Sequence, residues 1–179
     1  MCGIVGIIKF NKKPVDESDI KKMMGKIKHR GPDDEGVYID ENVGFGFVRL
    51  SILDLSDAGK QPMFDISGRF LILFNGEIFN YIELRAKLLK KGYSFKSESD
   101  TEVALYSYIE WGYECQSKFN GMWSFAIYDK VKNIIFLSRD RFGIKPLYYI
   151  KRKDEFIFGS EIKQLLKAEN KNYVNPKVL

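Results

Sequence analysis

The chain opens with Met1-Cys2-Gly3-Ile4-Val5-Gly6, which places a thiol one residue from the amino terminus. Removal of Met1 would put this thiol and a free α-amine on the same residue. The α-amine has an ordinary pKa of about 7.7 to 8.0, so it can accept a proton from a thiol with a pKa of about 8.5, directly or through one water. Retained Met1 would turn this amine into a peptide N–H without basicity. Cys2 is therefore a candidate nucleophile with its own base, and the alternative is a small apolar residue that starts a buried strand.

Length and composition indicate a single globular domain. The chain has 179 residues, of which 45% are hydrophobic and 30% charged, enough for one substantial core. No apolar run approaches the roughly 18 residues of a membrane span, and no basic segment precedes the apolar residues 3–8, so we expect a cytoplasmic protein. The lysines behind the formal charge of +5 are scattered among acidic residues. This pattern indicates solvated faces rather than a nucleic-acid surface.

Cysteine and histidine are too sparse to predict a metal site. The sequence contains two cysteines, Cys2 and Cys115, and one histidine, His29, all far apart. Neither the ligand spacing of a zinc site nor the dense spacing of a disulfide framework is present. We expect both thiols to be reduced, His29 to belong to a structural loop and Cys115 to be a helix residue with no role in chemistry.

Hydrophobic patterning predicts strands near both ends of the chain and helices in blocks between them. The predicted strands cover residues 3–10, 36–39, 43–50, 70–74, 123–128, 134–137, 147–150 and 155–158, and the predicted helices contain residues 20–27, 81–88, 105–109 and 160–166. Strands and helices do not alternate singly. This order favours an α+β fold of mainly antiparallel sheets with helices on their outer faces, not a doubly wound parallel sheet.

Seven sequence blocks, present in one order, carry a resemblance to a known family. They are Met1-Cys2-Gly3-Ile4, residues 29–33 (HRGPD), Arg49-Leu50-Ser51-Ile52, residues 75–80 (NGEIFN), Ser99-Asp100-Thr101-Glu102, residues 121–126 (GMWSFA) and residues 139–149 (RDRFGIKPLYY). Through these blocks the chain resembles the amino-terminal glutaminase domain of glutamine-dependent asparagine synthetase, a class II glutamine amidotransferase. The resemblance covers nearly the whole chain. It implies the N-terminal-nucleophile hydrolase fold, a four-layer αββα sandwich.

The resemblance also implies catalytic roles for three residues. Cys2 would attack the side-chain amide carbon of glutamine, release ammonia and leave a thioester that water hydrolyses. The side-chain amide of Asn75 and the backbone N–H of Gly76 would hold the negative oxygen of the intermediate. One such donor is typically worth about 100- to 1,000-fold in rate.

The same resemblance implies which residues bind the α-carboxylate and the α-ammonium of glutamine. Arg49 would hold the α-carboxylate through its guanidinium fork, and Asp100 and Glu77 would face the α-ammonium. The remaining predicted substrate contacts are made by Leu50, Ser51, Ile52, Leu53, Asn75 and Gly76. Phe47 departs from the family, because many relatives carry histidine two residues before the arginine.

Three of these residues also have an ordinary structural interpretation when each is taken alone. An arginine at a strand end, such as Arg49, is usually solvated. Asp100 would serve as a helix cap, and Asn75-Gly76 is a typical hairpin turn. The combination with Cys2 favours the substrate-binding roles.

Larger members of the family carry a second domain that activates aspartate with ATP and receives the ammonia. Its Ser-Gly-Gly-x-Asp-Ser phosphate loop is absent from this sequence, where Ser67-Gly68 is followed by Arg69. We therefore expect a glutaminase domain over residues 1–168 and a linker over residues 169–179 toward a synthetase domain or subunit. ATP and Mg are expected only in that partner, no cofactor or metal is expected here, and a homodimer is one option. Two alternatives stay open: an amidase of another amide or peptide, and a non-catalytic regulatory or docking domain.

Overall fold

The computed structural model describes residues 1–51 and 56–166. The predicted linker and the predicted substrate contacts Ile52 and Leu53 lie outside these residues. The strands are β1 (Gly3–Lys9), β2 (Asp34–Asp40), β3 (Val43–Arg49), β4 (Met63–Phe64), β5 (Phe70–Ile78), β6 (Gly121–Asp129), β7 (Ile134–Arg139), β8 (Tyr148–Lys151) and β9 (Glu155–Gly159). The helices are α1 (Glu17–Gly25), α2 (Tyr81–Lys90), α3 (Asp100–Trp111) and α4 (Ile162–Leu165).

The strands form two antiparallel sheets. The first has the order β2-β3-β1-β9-β8 and the second has the order β4-β5-β6-β7. Every strand pairing within the described ranges is antiparallel. The α+β class predicted from the grouping of strands and helices is therefore confirmed.

Apolar side chains fill three interfaces and so define four layers. Alternate residues of a strand face opposite sides of its sheet, and neighbours such as Ile4 and Val5 accordingly enter different clusters. The cluster between α1 and the first sheet contains Val5, Ile7, Ile20, Met24 and Val48. The cluster between the two sheets contains Ile4, Phe45, Phe47, Leu71, Leu73 and Phe158. The cluster beneath α2 and α3 contains Ile72, Phe74, Leu88, Val103 and Leu105. The predicted αββα sandwich is confirmed.

Helix α1 begins and packs as its sequence pattern predicts. The side chain of Asp16 accepts a hydrogen bond from the backbone N–H of Ser18 at 2.8 Å and caps the first turn. Ile20, Met23 and Met24 then form the buried face against the first sheet. Each helical residue of this stripe therefore contributes to the core.

Strand β5 is longer than its apolar run predicts. The apolar residues end at Phe74, but the strand continues through Asn75 and Gly76, which pair with Ser124 and Trp123 of β6. The hairpin-turn alternative is therefore wrong. A Cβ atom on Gly76 would lie 2.6 Å from the carbonyl oxygen of Met122, so glycine is required here by the close approach of β6.

Among residues 1–51 and 56–166, no helix combines the length and the apolar character that crossing a bilayer requires.

Candidate active site

The layer between the two sheets ends in a polar cleft. Along β1, β3 and β5, the inward-facing positions are apolar up to Ile4, Phe47 and Leu73. The next positions on the same faces are Cys2, Arg49 and Asn75. Because side chains on one face recur every second residue, these three project into the same space. The register that pairs Gly3 with Val48 also places Cys2 beside Arg49.

A cavity of about 110 Å³ occupies this cleft. Its lining includes every predicted site residue within the described ranges: Cys2, Arg49, Leu50, Ser51, Asn75, Gly76, Glu77 and Asp100. The lining also includes Met1, Phe47, Gly59, Gln61, Phe74, Ser99, Thr101 and Lys145, which were not predicted as site residues. The sequence blocks that are far apart along the chain thus meet in one place.

The thiol of Cys2 is held by the backbone of Leu50. The Sγ–H group donates to the carbonyl oxygen of Leu50 at 3.5 Å, and the N–H of Leu50 donates to Sγ at 3.4 Å. Burial raises the pKa of the Cys2 thiol, against the opposing effects of the Leu50 N–H and of the amino-terminal, Arg49 and Lys145 charges. The thiol is therefore mostly protonated at neutral pH and needs a base to become a nucleophile.

A network of hydrogen bonds and ion pairs between side chains fixes the main chain at Cys2. Arg30 Nε donates to the carbonyl oxygen of Cys2 at 3.0 Å, and Arg30 Nη1 lies 3.2 Å from Glu161 Oε1. Glu161 also contacts His29 at 2.9 Å and Lys163 at 3.0 Å. Burial would raise the pKa of Glu161, but the hydrogen bonds from these three side chains outweigh it and lower that pKa to about 2. His29 therefore belongs to a structural network, as predicted, and lies outside the cavity lining.

The side chain of Asn75 is buried, with 2% of its surface exposed. Its Nδ2 donates to Ser124 Oγ at 3.4 Å, and Ser124 Oγ donates to the carbonyl oxygen of Asn75 at 3.5 Å. This pair orients the amide at the end of the inter-sheet layer. Asn75 can therefore present N–H groups to a negative oxygen in the cleft.

The N–H of Gly76 points away from β6, toward the open edge of β5. Trp123 of β6 is the partner of Gly76. The carbonyl oxygen of Trp123 faces away from β5, because it accepts from Asp140 N at 2.8 Å. Residues of an antiparallel pair alternate between hydrogen-bonded and non-hydrogen-bonded partners. Gly76 and Trp123 thus form a non-hydrogen-bonded pair, which leaves the Gly76 N–H directed outward.

Side chains cap the positions on either side of Gly76 along this edge. Gln61 accepts from Phe74 N at 2.6 Å and donates to Phe74 O at 3.2 Å. The carboxylate of Asp100 accepts from Ile78 N at 2.9 Å. Both contacts replace the hydrogen bonds that a neighbouring strand would make. The Gly76 N–H between them is directed at the cleft.

Asp100 and Glu77 place two carboxylates at one side of the cleft. The cap of α3 is Ser99, whose Oγ accepts from Glu102 N at 3.4 Å, so the cap interpretation of Asp100 is wrong. Burial and the negative charge of Glu77 together raise the pKa of Asp100 to about 6, against the opposing effect of the hydrogen bond from Ile78 N. A cationic group that entered this side of the cleft would offset both effects.

Arg49 also lines the cavity and is buried, with 7% of its surface exposed. Its Nη1 donates to the carbonyl oxygen of Ser56 at 3.2 Å. The alternative of a solvated arginine is therefore wrong. The cleft therefore holds positive charge from Arg49 and Lys145 together with the carboxylates of Asp100 and Glu77, a combination that fits a zwitterionic amino acid.

Comparisons with known proteins identify the family of the chain. A family model described as a glutamine amidotransferase domain matches residues 1–179. The chain belongs to the glutamine amidotransferase domain family. This amidotransferase domain is 45% identical over 190 residues to putative asparagine synthetase (glutamine-hydrolyzing) 2 of Methanocaldococcus jannaschii, an alignment that covers 96% of the domain and 36% of the relative.

A second relative is similar to the whole domain. The domain is 47% identical over 184 residues to asparagine synthetase (glutamine-hydrolyzing) 1 of Bacillus subtilis, covering 100% of the domain and 29% of the relative. The domain thus spans about a third of the length of these curated relatives. Among solved structures, glutamine phosphoribosylpyrophosphate amidotransferase of B. subtilis has a TM-score of 0.78 at 18% identity, over 92% of the domain and 43% of that chain. This similarity supports the fold.

Gln61 and Lys145 are two of the polar lining residues of the cleft that the sequence analysis did not predict as site residues. Gln61 lies in the long connection between β3 and β5, where nothing distinguishes it from a surface residue. Lys145 lies inside the quoted block of residues 139–149, and the sequence does not show which of its side chains turns inward. In the structure, the carboxylate of Asp140 accepts from the backbone N–H groups of Phe142, Ile144 and Lys145 and so fixes the backbone of this loop.

Within the part of the domain that the structure describes, no group of three or more histidine, cysteine, aspartate or glutamate residues is placed to hold a metal ion.

Proposed function

We propose that this domain hydrolyses glutamine to glutamate and ammonia through a thioester on Cys2, as the glutaminase half-reaction of an asparagine-synthetase-like amidotransferase. The observation that carries the proposal is the meeting of Cys2, Asn75, Arg49 and Asp100 in one cleft. A thiol, an oriented amide donor and charges of both signs are what attack on the side chain of a free amino acid requires.

The reaction begins after removal of Met1, which is 54% exposed and accessible to a peptidase. The freed α-amine of Cys2 takes the proton of its own thiol, and the sulfur attacks the amide carbon of glutamine. The electrons of the carbonyl bond move to oxygen, which accepts hydrogen bonds from Asn75 Nδ2 and Gly76 N–H. Collapse of this intermediate breaks the carbon–nitrogen bond, and the α-ammonium returns the proton to the departing ammonia.

The second half of the reaction uses the same groups. A water molecule loses a proton to the α-amine and attacks the thioester carbon. The same two donors hold the oxygen of this second intermediate. Its collapse breaks the carbon–sulfur bond, returns the thiol to Cys2 and releases glutamate. No other base is required.

Glutamine is held by its amino-acid end. Arg49 binds the α-carboxylate, and Asp100 together with Glu77 binds the α-ammonium. Because the two charged groups of the substrate match the opposite charges of the cleft, the side-chain amide is directed at Cys2. An amide without these groups loses both anchors.

Asp100→Asn is expected to raise KM for glutamine by about 10- to 100-fold, because a hydrogen bond to a charged group is worth about 1.5–3 kcal/mol. The amide of asparagine can still accept from Ile78 N, so the fold is retained. Steady-state kinetics measure the effect. Glu98→Gln, on an exposed carboxylate outside the cavity lining, is the control and is expected to leave KM unchanged.

The same substitution is expected to stabilise the free domain above pH 6. The folded pKa of Asp100, about 6, exceeds its ordinary value of 3.8, so the folded state binds the proton more tightly. Stability therefore falls as pH rises from about 4 to 6, and ionised Asp100 costs on the order of 1–3 kcal/mol at higher pH. Urea unfolding measures the difference, which should shrink toward zero near pH 4. A variant less stable than the wild type at pH 7.5 would contradict it.

Asn75→Leu is expected to lower kcat by about 100- to 1,000-fold with a smaller change in KM, because the lost donor acts on the oxygen of the intermediate. Leucine has a similar size but no N–H group. Asn120→Leu, at an exposed position outside the cavity lining, is the control. A loss confined to KM would argue that Asn75 binds the ground state only.

Ammonia formed in this domain is proposed to pass to an ATP-dependent synthetase domain or subunit. Relatives named as asparagine synthetases are about three times as long, so their remaining residues provide room for such an acceptor. ATP and Mg would then bind in the acceptor, and this domain would use no cofactor of its own. Residues 169–179 would form the connection.

Turnover of three amides tests the proposed function. The purified chain, with removal of Met1 shown by intact mass, is incubated with glutamine, asparagine or N-acetylglutamine, and ammonia and glutamate are measured. Glutamine is expected to yield both products in equal amounts, and the others little. Equal turnover of N-acetylglutamine would favour an amidase of another substrate. No turnover together with retained Met1 would favour a non-catalytic docking domain.

A further inference from the structure

The cleft contains a buried lysine that the reaction scheme does not use. Lys145 lines the cavity together with Cys2, and 8% of its surface is exposed. Within residues 1–51 and 56–166 its ammonium group has no hydrogen bond or ion pair. The stem of Lys145 is covered while its ammonium group keeps some contact with solvent in the cleft, so its charge is available to an anion that forms there.

The fold holds this lysine inward by its backbone. Asp140 accepts from Lys145 N at 2.9 Å, and Arg139 Nε donates to the carbonyl oxygen of Lys145 at 2.8 Å. These bonds close the loop between β7 and β8. The backbone of Lys145 is therefore fixed by hydrogen bonds, and its side chain lines the cleft.

One anion that forms during the reaction is the sulfur of Cys2, which lines the same cavity as Lys145. The thiol is buried, and its ionised form is disfavoured by that burial. Lys145 is among the positive groups whose charge acts in the opposite direction, together with the amino terminus and Arg49. Negative charge in the cleft comes from Asp100 and Glu77. These five groups are the charges that the Cys2 sulfur faces in the cavity lining.

We infer that Lys145 stabilises the anionic sulfur of Cys2 and so prepares the nucleophile for attack. The proton of the thiol goes to the α-amine, and Lys145 stays protonated throughout. The inference rests on the proposed role of Cys2 as nucleophile and is independent of which amide is cleaved. Arg49 is proposed to bind the substrate carboxylate, so Lys145 adds a second positive charge for the sulfur beside the α-ammonium of Cys2.

Charge-selective alkylation of Cys2 tests the inference without any substrate. Chain lacking Met1 is treated with iodoacetamide, which is neutral, or with iodoacetate, which is anionic, and peptide mass spectrometry follows Cys2. Lys145→Met is expected to slow both reagents and to lower the iodoacetate-to-iodoacetamide rate ratio by about tenfold, because one positive charge is lost near the sulfur. Lys145→Arg is expected to restore the ratio, and Lys151→Met, at the far end of the domain, is the control.

The outcomes separate this inference from the proposed function. An unchanged rate ratio in Lys145→Met, or the same change in Lys151→Met, would overturn the inference. Lys145→Gln is measured in parallel, and thermal unfolding identifies any variant that fails to fold. If the ratio depends on Lys145 but glutamine is not cleaved, the inference stands and the proposed function falls. If glutamine is cleaved and the ratio does not depend on Lys145, the reverse holds.

Discussion

Cys2→Ala is expected to abolish ammonia release from glutamine, with a loss of roughly 10⁴- to 10⁶-fold in kcat/KM. The cleft supplies an oriented amide, a backbone N–H and charges of both signs, but Cys2 is the single thiol in its lining. Removal of the sulfur eliminates the thioester path, so only attack by water on a bound amide is left. Ammonia release under saturating glutamine measures the loss, and intact mass shows whether an acyl adduct forms.

Cys115→Ala provides a matched control for the loss of a thiol. Cys115 is fully buried beneath α3, and burial raises the pKa of its thiol to about 12. It is therefore unreactive near neutral pH. We expect full glutaminase activity in this variant, with some loss of stability from the cavity that remains. Activity that survives in Cys2→Ala but fails in Cys115→Ala would reverse the assignment.

Blocking the nitrogen of Cys2 is expected to lower activity by about 100- to 10,000-fold, the usual contribution of a general base. An amino-terminal extension that a site-specific protease removes directly before Cys2 provides the test. Before cleavage the nitrogen is a peptide N–H, and after cleavage it is an amine. The thiol, the donors and the charged side chains are the same in both forms.

Recovery after cleavage is the decisive measurement for this second prediction. Glutamine-dependent ammonia release is assayed on one protein sample before and after the protease is added. Equal unfolding curves of the two forms would exclude a difference in folding between them. Equal activity before and after cleavage would show that another group takes the proton of the thiol.

The fold was largely predictable because the spacing of buried apolar residues along the sequence differs between strands and helices. The separate clusters of Ile4 and Val5 follow from alternation within β1, and the buried face of α1 follows from helical spacing. The end of β5 was not predictable in this way. Gly76 continues the strand because it fits against β6, and that contact depends on a partner about 45 residues away.

Residues of the candidate site were predictable from the sequence where they belong to a motif. They were not predictable where only tertiary contacts bring a side chain to the cleft. Cys2, Arg49 and Asn75 each stand at the end of an apolar strand pattern. Gln61 gains its position only through the backbone of Phe74, and Lys145 through the loop held by Asp140. Hydrophobic periodicity describes each element separately, so it does not reveal contacts of this kind.

The capped edge of β5 has a consequence for behaviour in solution. An uncovered strand edge is a template on which another polypeptide can add, and such addition leads to aggregation. Here Gln61 and Asp100 occupy the backbone groups on either side of Gly76, so an incoming strand would find one isolated donor instead of a continuous ladder. Loss of either side chain would therefore make the protein more prone to self-association.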